Sequence, residues 1–391
     1  MKKVLLSILF LSTFINAQTN TEVHVFDITK NGENYILKNG KNISNNVGYD
    51  SQPIFYENEQ VIFSSSRNGN TDILFYDLKT NERRFISSTE NGGEYSPQRI
   101  PNSKDISAVR LDTTGLQRFY KYDFKSGKNK EIVADLKVAY PTWFDKNTLV
   151  SSVIVNDSLH LIISDLKKKQ NTTVAKMVGR SVHRIPNSNL ISFISKENEK
   201  YWLLKSLNPI TKEIKTITSL GKTEDITWLP DATLLISRGN GIYQFNPEKN
   251  KYPSLFFSFS DENINNISRI AVNKKGSKIA IVAEVSPRYL AQEQLDGYNN
   301  RNINAFLKPY AKNVKVYSYP NTLSYEGLET MHKNYASFFE NTPDLHCKLI
   351  KRIVHKDKVI DHELVTANGR TFKAVAIYTM KNGKIASVTF L

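Results

Sequence analysis

Cysteine is nearly absent: Cys347 stands alone among 391 residues. No intrachain disulfide can form, and no cysteine near the N-terminus can carry a lipid anchor. The fold must therefore rest on its apolar core, which a chain of this length can supply. Long apolar runs are equally scarce. The run from Val4 to Ile15 falls short of the roughly 20 residues that cross a bilayer as a helix. It follows Met1-Lys2-Lys3 and ends at Ile15-Asn16-Ala17, the pattern of an export signal. Residues 1–17 read as a signal peptide cut before Gln18, leaving a periplasmic or secreted chain with no membrane span. No Gly-x-Ser-x-Gly run occurs, which excludes a nucleophile elbow of the α/β-hydrolase kind.

Acidic residues are outnumbered, with 53 Lys and Arg against 38 Asp and Glu and a net charge of +15. The cations are dispersed, and the densest run, Lys167-Lys168-Lys169, sits in a turn pattern. Without a basic helix or aromatics interleaved with the charges, the composition does not describe a nucleic-acid binder. A solvated basic face suited to anionic envelope material fits better.

What the chain has in abundance is short strands. Residues 51–88 form four apolar runs, each closed by a polar turn, with Val, Ile, Phe and Tyr in the runs and Asn, Gly and Lys in the turns. WFDKNTLVSS at Trp143 matches WLPDATLLIS at Trp228, and RIPNSKDIS at Arg99 matches RIPNSNLIS at Arg184. Both pairs share one separation, two periods of about 43 residues, which is the signature of a four-stranded propeller blade. Units begin near Ser51, Glu94, Ala139, Ser181, Asp225 and Asn266. The last holds only Ile267–Val272 and Lys278–Val285, so its outer strands must come from Glu22–Ile28 and Asn34–Lys38. Six blades closed by both termini leave no open sheet edge.

The run SSSRNGNTDILFYDL (Ser64–Leu78) resembles the repeat of TolB-like (PD40) propellers, and residues 18–285 are assigned to such a domain. The resemblance implies binding of a protein or envelope component around the central channel. Arg67 and Asp72, at the repeat's recurring positions, are expected to pair with each other across the turn between two strands.

After Ser286-Pro287 the period changes towards 3.6. Helices are expected over Tyr289–Tyr298, from an Asn302 cap through Ala305, Phe306 and Tyr310, and over Gly327–Phe339. Strands follow at Leu345–His355, Val359–Val365, Phe372–Met380 and Ile385–Leu391, giving an α+β cone over residues 286–391. GYNNRNINAFLKPYAKNVKVYSYP (Gly297–Pro320), Val359-Ile360-Asp361-His362-Glu363 and NGKIASVTFL (Asn382–Leu391) resemble the SnoaL-like branch of the NTF2-like superfamily. That resemblance implies a pocket between helices and sheet, used by isomerases, cyclases and dehydratases and by many non-catalytic proteins.

In the superfamily's isomerases a general-base Asp precedes the proline after the second helix and its strand. Tyr319 stands there, and a phenol with a pKa of about 10 is a poor base. The first-helix tyrosine falls near Gln294, and the protonated acid of the oxyanion hole near Val375. Ketosteroid-type isomerisation is thereby disfavoured. His362, alternating with Ile360 and Leu364, can converge with Tyr319 and Tyr298 if its face is the concave one. Asp361 and Glu363 would then point away. His346 and Cys347 point to opposite faces, and the remaining histidines are scattered, so no metal and no cofactor are expected. Tyr298, Phe306, Tyr310, Tyr335 and Phe338 are the candidate ligand-pocket residues.

The function expected from these features is binding by an exported protein. The propeller docks a protein or envelope partner, and the C-terminal domain holds a small apolar ligand or forms a homodimer. The alternative is a periplasmic NTF2-like enzyme (isomerase, cyclase or dehydratase) with His362 and Tyr319 as its catalytic pair.

Overall fold

The computed structural model describes residues 20–31, 34–46, 48–259, 264–381 and 383–391. The expected signal peptide and its cleavage site lie outside the described residues. Among the described residues no helix is long and apolar enough to cross a membrane.

Six four-stranded blades form the first part of the chain. The first comprises Asp50–Glu57, Gln60–Arg67, Asn70–Asp77 and Arg83–Phe85. Its third strand touches the next blade through a single parallel bridge, Thr71 to Gly93. The last blade is composite: Asn265–Val272 and Lys278–Glu284 are completed by Thr21–Asn31 and Asn34–Asn42. The closing pair is antiparallel, with Thr21 opposite Glu284, Val23 opposite Val282 and Asp27 opposite Lys278. Val23 and Val25 bury themselves with Val61, Phe63 and Leu74 of the first blade. At the far end of the pair Lys278 forms an ion pair with Asp27.

The cores lie between neighbouring blades, and the two-period repeat has a physical cause there. Trp143 and Trp228 donate their indole N–H, each at 2.9 Å, to Ser107 and Ser192 of the preceding blade. Arg99 and Arg184 reach back to the carbonyls of Tyr56 and Phe144 and stack on those same rings. Aromatic blades thus alternate with arginine blades. The sequence similarity is strongest at every second unit because each kind of inter-blade clasp recurs there.

The second part follows directly. Ser286 caps α1 (Pro287–Asn299) by accepting from the Arg288 N–H. Asn302 caps the short α2 (Ile303–Leu307) through the Ala305 N–H, and α3 spans Leu328–Asn341. Strands β1 (Tyr310–Ser318), β2 (Thr322–Glu326), β3 (His346–His355), β4 (Lys358–Ala367), β5 (Arg370–Lys381) and β6 (Lys384–Phe390) form one sheet in the order β2-β1-β6-β5-β4-β3. The pairing of β1 with β6 is parallel. Tyr310, expected at the end of the second helix, instead opens β1. Pro309 has no N–H to continue a helix and turns the chain into the sheet. The β1–β2 hairpin precedes α3, ahead of the four strands expected after it.

Two glycines are required by close approach. A Cβ on Gly297 would lie 2.4 Å from the Phe306 nitrogen, so only glycine lets α2 fold back on α1. Gly383 has φ +68° and would drive a Cβ into Asn20, whose side chain donates to the Gly383 carbonyl at 3.3 Å. That contact, with the Val285 N–H on the Asn20 carbonyl, ties the ring's closing strand to the second domain.

The indole clasps carry a testable consequence. Trp228→Phe keeps the ring but leaves Ser192 without its donor, and should lower the unfolding free energy by about 1 kcal/mol. Urea unfolding followed by circular dichroism measures this. A midpoint equal to wild type would show the clasp to be energetically silent.

Candidate functional site

Helices α1 and α3 cover one face of the C-terminal sheet, and between them lies a cavity of about 540 Å³. Its walls include Leu295, Tyr298, Phe306, Tyr335 and Phe338 from the helices. Val316, Val365, Phe372, Ala374 and Phe390 close it from the sheet side. The five expected pocket residues (Tyr298, Phe306, Tyr310, Tyr335 and Phe338) all line this cavity. Their rings pack closely, with the Phe306 and Tyr335 centroids 4.4 Å apart and Tyr298 6.0 Å from Phe306.

The polar groups form a directed chain along one side. The Tyr310 hydroxyl donates to Gln294 Oε1 at 3.2 Å, and Gln294 Nε2 donates to the Tyr378 hydroxyl at 3.0 Å. Tyr378 in turn donates to Glu363 Oε1 at 3.4 Å. The Cys347 thiol also bonds to Glu363. Burial, reinforced by the nearby Asp361 charge, pushes the Glu363 carboxyl up from its ordinary 4.5 to about 7. Burial, with Glu363 beside it, pushes the Cys347 thiol up as well, so it is a hydrogen-bond donor rather than a nucleophile. Asp361, two residues before Glu363, is fully buried and gripped by Arg352 through two bonds of 2.7 and 2.6 Å. Arg352 is held in turn by Gln292 of α1 at 2.9 Å.

The expected catalytic pair does not assemble. His362 lies outside the cavity lining, and Tyr319 is 66% exposed in the turn after β1. Only Tyr298 of the proposed trio reaches the cavity. The face assignment of β4 is reversed. Val359, Asp361, Glu363 and Val365 are buried towards the helices, while Ile360, His362 and Leu364 occupy the other face. Both faces of β4 alternate with aliphatics, so period alone leaves the inward side open. The choice is made by Arg352, which satisfies Asp361 in the interior. Val375 is the cross-strand neighbour of His362 and shares its face. Sequence reasoning missed Glu363, Tyr378 and Cys347; the alternation Ala374, Ala376, Tyr378 and Met380 on β5 was the available signal for the inward face.

The innermost strands of the blades converge on one space. Gln52, Gln98, Tyr140, Arg180, His183, Asp225 and Arg269 surround a space of only about 80 Å³. Arg180 and Arg269 both pair with Asp225, at 2.7 and 2.9 Å, and Lys196 pairs with Glu224 at 2.9 Å. Burial, with Arg269 nearby, holds His183 down at about 4, so it is neutral at physiological pH. Arg67 pairs with Asp72 at 2.8 Å, an ion pair within the first blade. Among the described residues no group of three or more His, Cys, Asp or Glu is placed to hold a metal.

Residues 291–388 match the SnoaL-like domain family model. A putative TolB from Agrobacterium tumefaciens superposes with a TM-score of 0.52 at 10% identity, covering 68% of this chain and 99% of that one. TolB from Acinetobacter baumannii gives 0.44 at 13% identity over 67% and 64%. An NTF2-like protein of unknown function from Cytophaga hutchinsonii is 20% identical over 28% of this chain and 91% of its own, with a TM-score of 0.25. No curated protein matches the chain. The fold is thus mainly β: a propeller with the fold of TolB, followed by a domain whose residues 291–388 match the SnoaL-like model.

Glu363 makes stability depend on pH. Below about pH 4.5 its carboxyl is protonated whether the chain is folded or not; between there and about 7 only the folded state keeps the proton. Stability therefore falls as pH rises through that window, by up to about 3 kcal/mol. Glu363→Gln should lack this loss. Urea-unfolding free energies of both proteins at pH 5 and pH 8 measure it; parallel changes would contradict a buried, proton-holding Glu363.

Proposed function

We propose that the chain is an exported binding protein whose C-terminal cavity holds a small, largely apolar molecule while the propeller docks a protein or envelope partner. The observation that carries this reading is the aromatic-walled cavity of about 540 Å³, within the size range of small-molecule sites. Its polar atoms are gathered on one side in the chain from Tyr310 to Glu363, the arrangement that orients a ligand inside an otherwise greasy pocket. The central space is small and its charges, Arg180, Arg269 and Asp225, pair with one another, so the partner is assigned to the rim around it. The export reading rests on residues 1–17.

A catalytic role finds no support at His362 and Tyr319, which stand apart from the cavity. Should turnover be found, the group placed for it is Glu363, whose proton is exchanged near pH 7 and which Tyr378 contacts. The outer face of the sheet, where Leu323, Ile353 and Leu391 lie about half exposed, is the surface proposed for pairing of two copies.

The neutral fluorophore N-phenyl-1-naphthylamine tests the cavity. Wild type should bind it with enhanced, blue-shifted emission; Ala374→Trp, which fills the cavity, should reduce affinity at least tenfold, and His362→Ala should leave it unchanged. Equal affinity for all three would place the probe elsewhere and remove the cavity's role. For the surfaces, photo-crosslinking in intact cells from Asn68, exposed in the turn between the second and third strands of the first blade, should trap a partner protein, and from Ile353 a second copy. Failure to form an adduct at either position removes the corresponding part of the proposal.

A further inference from the structure

The cavity's charge pattern narrows its ligand, an inference that rests on the binding role proposed above. Among the described residues no Lys, Arg or His lines the cavity, and Glu363 is its one carboxylate. The nearest cation, Arg352, is spent on Asp361 by two hydrogen bonds, with Gln292 filling a further donor. Glu363 is left with neutral partners, the Tyr378 hydroxyl and the Cys347 thiol. Above about pH 7, where Glu363 ionises, it is a carboxylate removed from water with no cation hydrogen-bonded to it, an incompletely met charge.

The walls point to the same complement. Tyr298, Phe306, Tyr335 and Phe338 meet at ring-centroid distances of 4.4 to 6.5 Å. Faces of such rings carry negative potential and attract ammonium groups, most strongly when desolvated. An anionic amphiphile would bring a second negative charge to Glu363 with no basic side chain to receive it. A neutral ligand would use the apolar walls but give the ionised carboxylate no counter-charge.

We infer that the cavity takes a hydrophobic amine: an apolar, ring-sized body in the aromatic enclosure, with its protonated nitrogen seated against Glu363. Specificity then comes from one charge-assisted hydrogen bond in a site whose remaining polar groups are neutral.

The groups facing Glu363 fix the expected pH dependence. Asp361 lies beside it on β4, Cys347 and Arg352 on β3, Tyr378 on β5, Tyr310 on β1, Gln294 and Tyr298 on α1, and Tyr335 on α3. Burial raises all of the phenols and the thiol, so Glu363 is the group that titrates in the neutral range. In the free protein it takes up a proton below about pH 7. An ammonium ligand must expel that proton, so its affinity should fall about tenfold per pH unit below this point. A ligand that accepts a hydrogen bond from the protonated acid would show the opposite trend.

The experiment is calorimetric titration of the full chain with three probes on one ring system: 1-naphthylmethylamine, 1-naphthalenemethanol and 1-naphthoate. At pH 7.5 the amine should bind at least tenfold tighter than the alcohol, and the carboxylate should not bind. Glu363→Gln should abolish the amine's advantage while keeping alcohol binding. The wild-type pH series makes the same test without any variant. If the alcohol binds as tightly as the amine, if the amine's preference survives Glu363→Gln, or if amine affinity does not fall on acidification, the inference is overturned while the binding role stands. If none of the three binds, the binding role itself fails and this inference with it.

Discussion

A row of six twisted sheets has two outer edges that must be satisfied, and here one antiparallel ladder satisfies both ends of the ring. Thr21 to Asp27 pairs residue for residue with Lys278 to Glu284, so segments more than 250 positions apart become neighbours within one blade. The importance of this ladder lies in what it removes. Without it, Val61, Phe63 and Leu74 of the first blade would lose Val23, Val25 and Val282 as packing partners, and two strands would present unpaired backbone groups. The cost is the loop-closure entropy of nearly the whole propeller, which grows only logarithmically with length.

The same ladder positions the second domain. Glu284 ends the paired strand, Ser286 caps α1, and α1 is a wall of the cavity through Gln294, Leu295 and Tyr298. Asn20, just ahead of the strand brought from the other terminus, contacts Gly383 between β5 and β6. One element thus ends in the propeller's closure and the next begins the pocket, with no long linker between them.

Inside the cone, electrostatics decide geometry. Two carboxylates, Asp361 and Glu363, point inward from one strand. Arg352 neutralises the first with two hydrogen bonds, and Glu363 remains among neutral donors at the edge of an apolar space. The pair would be costly if both were ionised in the absence of Arg352. With the arginine present, one is a structural anion and the other is free to exchange its proton near neutrality.

The propeller was legible because its repeat obeys a local period: turn residues recur at fixed offsets, and each strand alternates. The alternation of Trp and Arg clasps explains why similarity appeared at two units rather than one. The cavity residues Tyr298, Phe306, Tyr335 and Phe338 were visible as an aromatic set at helical spacing. Tyr310 was among them for the wrong element, since Pro309 ends the helix before it. His362 was misplaced because β4 has aliphatics on both faces, and period two cannot tell inside from outside when both sides are apolar. From sequence alone come the blade count, the borrowed closing strands and the change of architecture at Pro287, all consequences of local pattern repeated or broken. The inward turn of Glu363, the commitment of Arg352's hydrogen bonds to Asp361 and Gln292 rather than to Glu363, and the link from Glu363 through Tyr378 to Gln294 were decided only in three dimensions. They depend on which distant side chain pays for burying a charge, and strand periodicity does not record that.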